Sequence, residues 1–188
     1  MTATPTPAPT ATDRLVAVAA FWRDAAAHWF AKSDAFDAEF RDRFGADHER
    51  AARGELDAAA TTPEAALGLV ILLDQLPRNA FRGTPRMYAT DALARAQTLR
   101  AIAAGFDVAI EPALRPFFYL PLSHSEALAD QDRAVALNAR TDAEYLRHAV
   151  QHRDIVARFG RFPHRNAILG RIDSPAEAAF LAGGGFKG

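Results

Sequence analysis

The chain has no cysteine. That removes disulfides, thiolate zinc sites, iron–sulfur clusters and a thiolate nucleophile in one step. The absence fits a reducing compartment, and a cytoplasmic location is the expectation. Lysine is nearly missing too: Lys32 and Lys187 are the only two, so arginine carries almost all the positive charge. The formal net charge is -1, which gives no general pull toward nucleic acid or an anionic membrane. No apolar run approaches the roughly 20 residues that cross a bilayer. Residues 1–12 lack the charged start and apolar centre of a secretory signal. No phosphate-binding glycine loop, dinucleotide fingerprint or G-x-S-x-G elbow occurs, and no cofactor is expected.

What is present is helical. With 188 residues, 49% of them hydrophobic, the chain can bury about 70% of its unfolded surface, enough for one core. Pro5, Pro7 and Pro9 mark residues 1–11 as a flexible tail, and 12–188 should form a single all-helical domain. A first helix from Asp13 should turn Leu15, Val18, Phe21, Trp22 and Trp29 inward. A second, from Ser33, buries Phe36, Phe40 and Phe44 and should break at Gly45. Thr61-Thr62-Pro63-Glu64 signals the start of a third. It is almost wholly apolar from Ala65 to Leu76, so it belongs at the centre, and Pro77 should end it. A fourth is expected from Thr84-Pro85 to Gly105. A fifth should follow Pro112 and end in Phe117-Phe118-Tyr119. Ser123–Glu126 and Thr141–Glu144 read as capping boxes. Gly160 should stop the helix begun at the latter, Ser174-Pro175-Ala176-Glu177 should open a last one, and the glycine-rich end, 183–188, should fray. No stretch alternates as a strand would. Short Pro/Gly turns imply antiparallel neighbours, of which tetratricopeptide-like stacking is one form, although no 34-residue repeat is visible.

Polar chemistry gathers where prolines interrupt apolar helices. Asp74, Gln75, Arg78 and Asn79 surround Pro77. Arg161, His164, Arg165 and Asn166 surround Pro163. His124 and Glu126 follow Pro121. Arginine offers a rigid fork of donors suited to carboxylate or phosphate, and Asn adds a donor and an acceptor. Such groups also close helix ends and pair with acids inside a core. His148 and His152 share a helix face, but no third ligand is marked, so no metal is expected and His152 reads as a semi-buried, hydrogen-bonded residue.

These residues carry a resemblance. Leu73–Asn79, Pro121–Glu126 with Asp130-Gln131, and above all His152 with Phe159–Asn166 and Leu169-Gly170-Arg171 are similar to bacterial domain-of-unknown-function family 924. Phe30, Phe36-Asp37, Phe40 and Phe44-Gly45 fit as well, so the resemblance spans about 21–186. It implies an all-helical, tetratricopeptide-like fold and no particular activity. It also implies that Asp74, Gln75, Arg78, Asn79, His124, Glu126, His152, Arg161, His164, Arg165 and Asn166 belong to a shared polar set. Leu76 and Ser123 depart from it, standing where larger residues, Phe and Met, are expected.

Three readings stay open. In the first, Arg78, Asn79, Arg161, Arg165 and Asn166 line a site for a small anionic ligand or an acidic peptide end, backed by Asp74, Gln75, Glu126 and His152. In the second, the chain is a hydrolase or lyase acting on an anionic metabolite, with His164 or His124 as general acid or base. In the third, the polar motif only locks the C-terminal helices to the core. A protein partner fits a helical groove. Nucleic-acid and membrane partners are not expected, and oligomeric state is not legible.

Overall fold

The computed structural model describes residues 8–186. Their helices are α1 (Ala11–Asp24), α2 (Asp34–Ala52), α3 (Pro63–Ala80), α4 (Asp91–Ala103), α5 (Phe106–Ala109), α6 (Pro116–Ser123), α7 (Leu128–Asn138), α8 (Ala143–Phe159) and α9 (Pro175–Ala182), with short 3-10 turns between some of them and no strand among the described residues. From Ala65 to Leu73 helix α3 is apolar on every side, and α1, α2, α4 and α6 pack against it. Burial of Leu67, Leu69, Ile71, Leu72 and Leu73 makes it the centre of the core. α1 approaches so closely that a Cβ on Gly68 would stand 2.0 Å from the Leu15 carbonyl oxygen. The glycine is what lets the two backbones touch. From α6 the chain continues through α7 to α8. A smaller apolar cluster, Ile155, Val156 and Phe162, then takes in Phe159, Phe180 and Phe186. α1 and α2 both lean chiefly on α3. These contacts establish an all-α fold, not the stacking order of tetratricopeptide hairpins. No helix among the described residues is long and apolar enough to cross a membrane.

Local signals placed many ends. Ser33 and Thr62 cap α2 and α3 through their side chains, and Ser174 with Glu177 closes a capping box on α9. Gly160 ends α8 with φ 70°. Thr10 caps α1 and Ala11 begins it, so the helix starts inside the expected tail, whose residues 1–7 lie outside the described part.

Other expectations fail for reasons of tertiary contact. α2 runs through Gly45, because Phe44, Asp47 and His48 on either side are buried and hold the turn. The aromatic run lies inside α6, after the separate short α5, and a 3-10 turn over Pro85–Tyr88 precedes α4. Trp29 falls beyond α1, where its Nε1 donates to the Trp22 carbonyl at 2.6 Å. Asp142, not Thr141, caps α8, by accepting from the Glu144 amide at 2.8 Å. Phe186 does not fray: it packs edge-on against His152 at 4.7 Å.

Pro77 is the most consequential departure. It sits within α3 and does not end it. Having no N–H, it leaves the Leu73 carbonyl without its helical donor. The Thr90 hydroxyl donates there at 2.6 Å. That bond ties the start of α4 to α3 and sets Asp91 beside Arg78.

Candidate functional site

Asp74 emerges from the last turns of α3 with 0% exposure. Gln75 Nε2 donates to it at 2.6 Å and Arg78 Nη1 stands 3.1 Å away. Its Oδ1, the oxygen beside Arg78, also meets His124 Nδ1 at 2.8 Å, where α6 gives way to the loop before α7. Burial works against the Asp74 charge, but Arg78 and His124 outweigh it and hold the carboxyl at about 2. Asp74 is therefore ionised at neutral pH, and the proton of the neutral His124 ring must lie on Nδ1. Its Nε2 has no hydrogen-bond partner among the described residues, and the residue stands in the wall of the hollow described below. Burial and then Arg78 push the His124 pKa below the ordinary histidine value, against the pull of Asp74.

Asp91 links this pair to the Pro163 turn. Its Oδ1 lies 3.0 Å from Arg78 Nη1 as an ion-pair contact, and its Oδ2 accepts from Arg78 Nη2 at 3.2 Å. Its Oδ2 accepts from Arg165 Nη1 at 3.2 Å. Arg165 also donates to the His124 carbonyl at 3.0 Å. Its guanidinium lies between the rings of Tyr88 and Phe162, 4.6 Å from each. Its Nε–H is buried with no acceptor.

Glu126 was expected to cap a helix with Ser123. The structure corrects this, because α7 begins only at Leu128 and has no side-chain cap. Glu126 instead accepts from the Phe162 amide at 2.9 Å and from Arg171 Nη1 at 2.8 Å. Burial raises its pKa, but these two bonds prevail and lower it. Ser125 donates to Asp130 at 2.6 Å, and Asp130 receives both arms of Arg95 at 2.5 and 2.8 Å.

Three segments thus converge on one hollow of about 420 Å³, with Tyr88, Asp91, Arg95, His124, Ser125, Glu126, Arg165 and Arg171 in its wall. The charges around it balance. Arg78, Arg95, Arg165 and Arg171 are paired with Asp74, Asp91, Asp130 and Glu126, four against four.

Not all the expected residues arrive there. Asn79 donates to Asp37 at 2.6 Å, on the α2 side of α3. Arg161 clasps Glu177 with both arms, at 2.6 and 2.8 Å. Asn166 donates to Asp173 at 2.6 Å. These two fasten α9 and do not line the hollow. His164 stands between Phe162 and Phe186 with its Nδ1 buried and unpaired. His152 donates from Nδ1 to the His148 carbonyl at 2.7 Å, and its ring lies 6.3 Å from that of His124. Burial, and then neighbouring positive or imidazole groups, lower both His152 and His164 to about 4. Among the described residues no group of three or more His, Asp or Glu could hold a metal ion.

Sequence reading missed Tyr88, Asp91, Arg95 and Asp130 as part of this site. The acid in the first turn of α4 was visible, but its link to residues 74 positions away was not.

A family model described as "Bacterial protein of unknown function (DUF924)" matches residues 18–185. A solved structure of a protein of unknown function from Agrobacterium tumefaciens is similar, with a TM-score of 0.87 and 52% identity over 89% of this chain and 96% of that one. No curated protein matches the chain.

Proposed function

The chain belongs to the bacterial family of unknown function DUF924, whose model matches most of its length, and from that premise we propose that it binds a small molecule bearing a carboxylate or phosphate group in the hollow beside His124 and Arg165. The observation that carries this reading is the hollow itself, whose wall brings the Arg165 and Arg171 guanidinium groups and the His124 ring together. Guanidinium groups present a fork of donors suited to carboxylate or phosphate. The volume, about 420 Å³, suits a small-molecule site, which commonly spans roughly 300–1,000 Å³. Arg171, half-buried at the rim, makes its hydrogen bond to Glu126 through Nη1. Its other donors supply a second contact.

Thermal unfolding with inorganic phosphate or succinate tests this. A ligand at 100 times its Kd stabilises the fold by about 2.7 kcal/mol. Wild-type protein should melt higher as either anion is added, and Arg165→Lys and Arg171→Gln should each blunt the rise. No rise with either anion, or an undiminished rise in both variants, refutes the reading.

For Arg161 and Asn166 a structural role is the better reading. Their partners Glu177 and Asp173 hold α9 in place, and neither lines the hollow.

A further inference from the structure

We propose that Asp74 and His124 act as an acid–base pair that hydrolyses a carboxylic ester whose acid part carries a second carboxylate. This rests on the binding reading above and adds chemistry to it. The geometry supplies each part. Asp74 is fixed by Gln75 and Arg78, accepts from Nδ1 at 2.8 Å, and so sets the tautomer. The lone pair on Nε2 is then the reactive one, and His124 is in the wall of the hollow together with Arg165. Neither neighbouring serine serves as nucleophile: Ser125 is committed to Asp130 and Ser123 is 3% exposed. Water is therefore the attacking group.

In the first step Nε2 takes a proton from water as the water oxygen bonds to the acyl carbon. The carbonyl electron pair moves onto its oxygen, where the Arg165 guanidinium stabilises the charge. In the second step that pair re-forms the carbonyl and the bond to the leaving alkoxide breaks. Nε2 returns its proton to the alkoxide, giving the alcohol. The carboxylic acid product ionises to solvent. Arg171 holds the second carboxylate.

The groups facing His124 set its pH range. They are Asp74 and Arg78 from α3, Asp91 from α4, His152 from α8, and His164 and Arg165 from the Pro163 turn. Burial and Arg78 dominate, so the imidazole is neutral below the usual histidine range. The rate should be flat above pH 7 and fall in acid.

The experiment compares 4-nitrophenyl hydrogen succinate with the uncharged 4-nitrophenyl butyrate. Wild-type protein should hydrolyse the charged ester faster than the uncharged one. His124→Gln should lose that activity by about 10²-fold or more. Diethyl pyrocarbonate should abolish it in step with modification of His124 mapped by mass spectrometry, and succinate should protect. Equal rates in wild type and folded His124→Gln overturn the proposal, as does full activity after His124 is modified. Should His124→Gln not fold, the modification arm decides alone. Equal rates on the two esters overturn the substrate class. If succinate raises the melting temperature while the ester is untouched, the catalytic claim falls and the binding reading stands. If succinate neither stabilises nor protects, the binding reading falls.

Discussion

The Thr90 hydroxyl on the Leu73 carbonyl can be weighed by a double-mutant cycle with Pro77. Thr90→Val keeps shape and volume but removes the donor at 2.6 Å. Because Pro77 has no N–H, the carbonyl would then be left bare inside the core. Stranding a buried acceptor costs about 1–3 kcal/mol. In a chain of 188 residues, 1 kcal/mol moves the melting temperature by about 2–4 °C, so a loss of roughly 4–8 °C is expected for a mid-range cost of about 2 kcal/mol. Pro77→Ala restores an amide four residues after Leu73, in a helix that is already formed around it. On that background the carbonyl keeps a partner, and Thr90→Val should cost about 1 kcal/mol or less. The coupling between the two sites should exceed the roughly 0.5 kcal/mol within which independent changes add. Chemical denaturation of the four proteins, with melting curves as a check, measures it. If Thr90→Val costs the same with and without Pro77, the hydroxyl is not replacing the missing amide and the account of why α3 survives its proline is wrong.

Gly68→Ala places a methyl carbon 2.0 Å from the Leu15 carbonyl oxygen, so α1 must move off α3. The loss should reach or exceed the roughly 1–3 kcal/mol typical of overpacking, and urea unfolding that showed no change would refute the close approach. Glu177→Ala leaves Arg161 with only its bond to the Ile172 carbonyl and should loosen α9, first visible as faster amide exchange there. Stability should fall as pH drops from about 6.5 toward about 4. His152 and His164 are neutral when folded, with values near 4, so between those limits the unfolded chain binds more protons. Each contributes at most about 3 kcal/mol at neutral pH that is lost across this window. Asp74, held at about 2, adds a loss of the same sign below about pH 4. Urea unfolding at a series of pH values checks it, and a flat profile from pH 7 to 4.5 would sink the assignment of buried neutral imidazoles.

Helix starts such as Ser33, Thr62 and Ser174 were legible because a cap is settled within three residues of itself. The apolar face of α3 was legible because burial of a whole helix leaves no polar stripe. Pro77 was misread because the group that rescues it, Thr90, is 17 positions distant. Glu126 was misread for the same reason. Ser123 is near in sequence, but its actual partners, the Phe162 amide and Arg171, are 36 and 45 residues away. Of the arginines expected at the site, Arg165 reached the hollow and Arg161 did not. Their four-residue separation, with Pro163 between them, turns one toward Asp91 and the other toward Glu177. Nothing local distinguishes those destinations.

The balance of guanidinium and carboxylate groups around the hollow bears on how quickly charged molecules can arrive. Opposite charges only a few ångströms apart cancel well inside the Debye length, about 8 Å at physiological ionic strength. A passing anion therefore meets no long-range field to guide it. Association should be an unsteered diffusive encounter, nearly indifferent to added salt. Discrimination among molecules would then reside in how long each one stays.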